Sequence, residues 1–490
     1  MPDAVPSTRS NFTFNIALTI SNLIFPLVSF PYISRVIGPE GIGRVQFLTT
    51  FAQYFVLFAA LGIPLYGMRE VAKASGDPKA LNKVFSEIFV LNIITSLMAV
   101  AVYLIVIFTV RRFHSELDWY LITGLIILLG FTSIDWLYSG LQNFKHIAIR
   151  SVVIKIVSLA AMFMFVTTAA DAKVYLCITV FSTLGNNFWN LLLLRKNVSL
   201  QFKNLEFKKH LPTLIMLFST GISTSIYTVM DTLILGFLTD NRTVGFYTAA
   251  IKINKIAIPV IISLGIVLMP QIAKSMADKD ERLTNQLLSK SFNFICFLGI
   301  PIAFGLYAVA PEMMTVFSGP EFAPAILTMQ ISAPLVFLIG LGHIFGLQIL
   351  VQSNNHNLYL YATICGVIMS LFLNFLFIVL FKDKGAALAT VCGEIVVSAV
   401  AYFYVVKRLK YNFDWSMALK AALPSIAFIP LAMIFRTIIP QPILALLVTA
   451  IASSGIYFSI QLFVYRNPMC MEGWTMVLSK LNKLKPGEKP

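Results

Sequence analysis

"YISRVIGPEGIGRVQF" (Tyr32–Phe47) sets three glycines, a proline and two arginines between stretches that read as unbroken hydrocarbon. Glycine enters backbone conformations closed to other residues, and proline cannot continue a helix through its missing N–H. The expectation is a tight helical hairpin. Gly38 ends one helix in a left-handed cap, Pro39 blocks its continuation, and Gly41 and Gly43 let the chain reverse before the next helix begins.

What flanks the hairpin decides the solvent. The 490 residues are 58% hydrophobic and only 12% charged, where a water-soluble domain carries roughly a quarter charged residues. Apolar runs of roughly 20 residues, enough for a helix to cross a bilayer, recur about fourteen times, from about 12–34 to about 441–464. They are long and unbroken, so they are helices and not the alternating short strands of a barrel. The fold class is an all-α polytopic membrane protein.

Lys and Arg are unevenly spread over alternate connections. About 25 of the 37 fall on the side of the amino terminus, which puts both termini in the cytoplasm. The formal charge of +15 is then a topology signal and a counter-charge to anionic lipid, not a mark of nucleic-acid binding. The first run is too long for a signal peptide and lacks a small-x-small site, so it reads as a retained helix. Cys177, Cys296, Cys365, Cys392 and Cys470 are singly spaced and suggest neither a disulfide framework nor a metal site. No cofactor is expected.

The chain also repeats itself. "GIGRVQFLTTF" from Gly41 matches "TVGFYTAAIKI" from Thr243, pairing Gly43 with Gly245; "REVAKA" at Arg69 matches "PQIAKS" at Pro270. "LQNFKH" at Leu141 meets "VQSNNH" at Val351, aligning Gln142 and His146 with Gln352 and His356. Order is kept throughout, which predicts two six-helix lobes related by a pseudo-two-fold along the membrane normal, with a transport cleft as their natural use. The boundaries expected are 1–200, 201–411 and a final helix pair with its tail at 412–490, with a polar linker around Asn197–Leu211.

"PYISRVIGPEGIGRVQF", "LGIPLYGMREVAK", "IDWLYSGLQNFKHIAIRS", "DTLILGFLTDNRTVGFYTAA" and "VLMPQIAK" together resemble the polysaccharide transporter family of oligosaccharide flippases, within the multidrug/oligosaccharidyl-lipid/polysaccharide superfamily. The resemblance covers the first twelve helices, and the last pair is similar to the extra helices of some members. It implies export of lipid-linked O-antigen or capsule repeat units across the bacterial inner membrane. It implies as partners the lipid-linked oligosaccharide, membrane lipids, a coupling proton or sodium ion, and the glycan polymerase and chain-length machinery.

Charges inside spans are costly unless paired or wetted, so they are the site candidates. Lys252, Lys255 and Lys155, with Arg35 at the hairpin, are candidates to hold pyrophosphate or acidic sugars; Asp135, Asp231 and Glu394 are candidates for a coupling cation or a charge pair. By depth, Asp135 could meet Lys155, and Asp231 could meet Lys252. The same residues also read as buried ion pairs that fix helix register, or as snorkelling side chains. Arg35 and Arg44 read equally as contacts to headgroup phosphates.

Enzyme readings are weaker. No GxxxxGK[ST] phosphate loop is present. Asp278-Lys279-Asp280 forms a D-x-D, but in a short charged loop with no nucleotide-binding domain around it. The rival readings are a multidrug exporter of the same superfamily and a membrane-embedded glycan polymerase.

Overall fold

The computed structural model describes residues 8–194, 198–203, 205–471 and 474–475. Asn197 in the expected linker and the tail beyond Thr475 lie outside the described residues. Among the described residues, eleven helices are long and apolar enough to cross a membrane. Two of these, Thr8–Ala60 and His356–Leu409, are each interrupted by one non-helical residue, Gly38 and Lys382. Dividing them there and adding Leu211–Leu238 gives fourteen spans, as the hydropathy pattern predicts.

The spans are α1 (8–37), α2 (39–60, resumed as Ile63–Ala74), α3 (Pro78–Thr109), α4 (Leu117–Leu128, resumed as Asp135–Gly140), α5 (Phe144–Phe165) and α6 (Ala172–Leu194). They continue with α7 (Leu211–Leu238), α8 (Asn241–Ile256 and Ile258–Ala277), α9 (Glu281–Ala308), α10 (Ile326–Ser332 to His343–Val351), α11 (356–381) and α12 (383–409). The last pair is α13 (Ser416–Ile426 and Phe428–Ile438) and α14 (Pro442–Ser459, extended by Ile460–Val464). The chain forms two compact units, Met1–Gly245 and Phe246–Pro490.

The opening hairpin forms, but by one glycine and not three. Gly38 takes φ 66°, ψ −178°, a region that is essentially glycine-only and lies away from the expected left-handed cap. That single residue reverses the chain. Gly41 and Gly43 are helical, and Gly43 is needed for packing: a Cβ there would fall on the carbonyl oxygen of Asn241. Reciprocally, a Cβ on Gly245 would fall on the carbonyl oxygen of Pro39. The offset that pairs Gly43 with Gly245 also pairs Pro39 with Asn241, so the contact is symmetric under the repeat.

Other turns recur as well. Asp77 caps α3 by accepting from the Lys79 amide at 2.9 Å, and Asp280 caps α9 by accepting from the Leu283 amide at 2.9 Å. Gln142 (φ 57°) and Asn354 (φ 60°) both turn left-handed, each followed by an asparagine whose amide donates five residues back, at 2.8 Å in both repeats. This corrects the third alignment by two residues: Gln142 corresponds to Asn354 and His146 to Leu358. The shared Gln and His letters there are coincidence, because a turn's register is set by its backbone and not by its side chains.

In the first unit the core gathers Phe85, Ile88, Trp136 and Tyr138. In the second, Phe292, Ile295, Phe345 and Ile349 form its centre. The last helix pair belongs to that second core. Tyr457 on α14 donates to the Phe297 carbonyl at 2.7 Å, and Arg436 on α13 grips the buried Glu312 through Nε at 2.5 Å and Nη2 at 3.1 Å.

Candidate functional site

Two polar centres in the first unit hold intramembrane charges. At one, α4 breaks at Gly130–Thr132 and restarts at Asp135, which places that carboxylate at a helix start. Arg150 on α5 approaches it as a fork, Nη1 to Oδ1 at 2.7 Å and Nη2 to Oδ2 at 3.1 Å. Asn190 on α6 donates to the same Oδ1 at 2.6 Å, and Asn186, one turn away, accepts from Arg150 Nε at 3.1 Å. The guanidinium is buried at 3% exposure while the carboxylate keeps 46%. A bidentate pair of this kind is both directional and strong. The result is a fixed anionic group with one accessible side.

Lys155 does not meet Asp135. It donates to Ser21 Oγ at 3.2 Å and to Asn22 Oδ1, so α5 is tied to α1. Depth from sequence placed the two charges at one level, but azimuth around the helix separates them, and Arg150 is the residue on the Asp135 face. Arg35 is exposed and donates to the Pro31 carbonyl at 3.1 Å. Arg44, the hairpin's other costly cation, sits between Glu40 at 3.2 Å and Glu116 at 3.1 Å, against the Trp119 ring. Asp231 is buried on α7. In the second unit Lys252 is half-buried, Lys255 exposed and Glu394 buried. The three-residue spacing of the two lysines thus separates them in exposure.

The second centre was not anticipated. Glu87 on α3 is fully buried and accepts from His210 Nε2 at 2.9 Å, from the Glu206 amide at 2.9 Å and from Lys209 Nζ at 2.9 Å. The other imidazole nitrogen, Nδ1, meets the Tyr66 hydroxyl at 2.6 Å. A carboxylate only accepts, so His210 donates from Nε2 to Glu87. Lys83, one turn before Glu87, is the signal that would have exposed it, since an i, i+4 Lys–Glu pair marks one helix face.

Among the described residues no group of three or more His, Cys, Asp or Glu is placed to hold a metal ion. What remains is a multi-pass helical membrane protein in which Asp135 is held by hydrogen bonds from neighbouring helices and Glu87 by the connector before α7. Residues 8–276 match the family of polysaccharide biosynthesis proteins, and the chain belongs to that family. A curated relative from Escherichia coli K12 named "Putative O-antigen transporter" is 24% identical over 408 residues, covering 81% of this chain and 97% of the relative. The Bacillus subtilis protein named "Lipid II flippase MurJ" is 29% identical over 162 residues, 32% of this chain and 29% of its own. Among solved structures, a lipid II flippase MurJ in an inward closed conformation superposes with a TM-score of 0.75 at 16% identity, covering 94% of this chain and all of that one. An inward-facing multidrug resistance MATE transporter gives 0.61 at 14% identity, over 81% and 98%. These likenesses define the fold. The relatives are named as transporters and flippases, and the chain is a membrane transport protein, not an enzyme.

Proposed function

We propose that this protein is a flippase that carries polyprenyl-pyrophosphate-linked oligosaccharide, an O-antigen or capsule repeat unit, from the cytoplasmic to the outer leaflet of a bacterial inner membrane. The observation that carries the reading is the family match over residues 8–276, joined by a relative matched over nearly its whole length and named for O-antigen transport. Physical chemistry sets the task. A sugar head group bearing pyrophosphate cannot enter hydrocarbon unaided, because each unsatisfied polar group costs several kcal/mol there. The polyprenyl tail can stay in lipid while the head changes sides by alternating access.

In this reading both termini are cytoplasmic. Lys252, Lys255, Lys155 and Arg35 attract the anionic head, and Asp135, Asp231 and Glu394 take a coupling proton or sodium ion. Asp135 is the best supported of these carboxylates, since Arg150 and Asn190 hold one side and leave the other accessible.

The test is deletion of the gene with analysis of polyprenyl-linked oligosaccharide on each leaflet. Finished units trapped on the inner leaflet are the expected result. Outward-facing unpolymerised units would instead indicate a polymerase, and unchanged glycan with altered dye efflux a drug exporter. In the complemented strain, Lys252→Ala and Lys255→Ala, expressed at parental levels, should slow export; parental rates would remove the lysines from the mechanism.

A further inference from the structure

The Asp135 centre borders on two buried atoms that make no hydrogen bond among the described residues. Asn190 is wholly buried and gives an N–H to Asp135 Oδ1 at 2.6 Å, but its own Oδ1 has no partner. His146, four residues before Arg150 on α5, is its neighbour, and the imidazole Nε2 is likewise buried without a partner. The amide oxygen only accepts. Nε2 donates whenever it carries a hydrogen, so one hydrogen there would satisfy both atoms, each of which has otherwise given up its hydration for nothing.

Tyr138 on α4 brings the two into register. Its ring centroid lies 4.4 Å from that of the imidazole, at an interplanar angle of 34°, while its hydroxyl donates to the Asn190 backbone carbonyl at 2.8 Å. One residue thus fixes both the imidazole plane and the backbone that carries the amide. The amide itself has two ends of nearly equal shape, and its neighbours decide which faces where. With a hydrogen on His146 Nε2, the carbonyl end turns to the imidazole and the N–H end is left for the carboxylate. Without it, two lone pairs face each other, the amide reverses, and its oxygen meets Asp135 as acceptor against acceptor.

We infer that His146 is a positioning residue for Asp135: by donating from Nε2 it sets the Asn190 amide so that N–H, and not oxygen, faces the carboxylate. Neutral imidazole in its Nε2–H tautomer does this, and so does imidazolium. Only the Nδ1–H tautomer fails. The turn between α4 and α5 has no need of the relay. Under the offset that pairs Gln142 with Asn354, Asp135, His146 and Arg150 correspond to Leu347, Leu358 and Ala362, and the second repeat makes the same turn without them. What the relay serves is the carboxylate, and its use in transport rests on the reading of Asp135 as a group that takes the coupling cation.

The test begins with magic-angle-spinning NMR of the full chain in lipid nanodiscs, labelled isotopically on histidine nitrogen. The sequence has five histidines, and His146→Gln identifies the signal that belongs to His146. Hydrogen on Nε2 is the expected signature; hydrogen on Nδ1 alone overturns the inference. Export in the complemented deletion strain is the second readout. His146→Phe, which keeps a ring on Tyr138 but cannot donate, should slow export about tenfold at parental expression, whereas His146→Gln, which restores an N–H, should stay within about twofold. In an Asn190→Leu background, His146→Phe should bring no further loss of thermal stability, because the two act as one unit. Equal losses of export from Phe and Gln, or an additive loss of stability in that background, overturn the inference. An Nε2 hydrogen and a non-additive stability loss, with export unmoved by every variant, support the positioning role and remove Asp135 from transport instead.

Discussion

The connectors that follow the sixth helix of each repeat are fastened to the same duplicated helix by opposite chemistries. Between α6 and α7, residues 198–210 are held by backbone amides on Asn82, Ser86 and Glu87, with buried His210 as the last link. Between α12 and α13 the chain is held by rings: Phe413 and Trp415 against Phe292, and Trp415 against Tyr402 at 5.5 Å. A polar latch is directional and concentrates its strength in one buried acceptor. An aromatic clamp spreads its strength over many weak contacts and tolerates small shifts. Duplication preserved the helix and let the fastening diverge.

The comparison breaks first at Glu87. Glu87→Ala leaves the imidazole, the Lys209 ammonium and the Glu206 amide without their acceptor, for a loss of about 3–5 kcal/mol. The measurement is thermal unfolding in detergent, with hydrogen exchange over residues 198–210 rising to the level of an open segment. Phe413→Ala should cost less, about 2 kcal/mol, because that ring is only half-buried; a cost above that of Glu87→Ala would reverse the ranking of the two fastenings. Ser86→Ala removes the acceptor of the Gln201 amide together with the hydroxyl's own bond to the Asn82 carbonyl and should cost about 1 kcal/mol, with faster exchange at Gln201 and no change at Glu206.

The smallest effect is on pH. A hydrogen bond and charge from Lys83, helped by Lys209, hold the Glu206 carboxyl below the usual glutamate range. A lowered folded-state value means that this contribution is present above the ordinary value, about 4.3, and is lost as pH falls through the lowered one. Exchange at the solvent-exposed half of the connector before α7 should therefore quicken only in that acid window, and molar salt should mimic it. The aromatic clamp should ignore salt.

Much of the fold could be read from the sequence, because span length and hydropathy are properties of the chain alone. The hairpin at Gly38 and the pairing of Gly43 with Gly245 were legible for a similar reason: proline restricts a backbone and glycine frees it wherever they occur. The polar centres were less so. Arg150 looks from sequence like one of many cations at a membrane surface, and Glu87 is one acid inside "FSEIFV". Whether either is buried depends on helix rotation, which a hydrophobic-all-round span does not encode. His210, distant in sequence from Glu87, could be found only by bringing that connector back to α3.

Two reversals in this chain are each made by a single residue, and they are not equivalent. Gly38 adopts its conformation without a side chain to obstruct it. Lys382, at φ 53° and ψ −126°, must carry one through a region that disfavours it, at a cost of order 1–3 kcal/mol. A thermostability screen should thus enrich Lys382→Gly early, and a lineage that keeps lysine there in spite of that advantage is reporting selection on something other than folding.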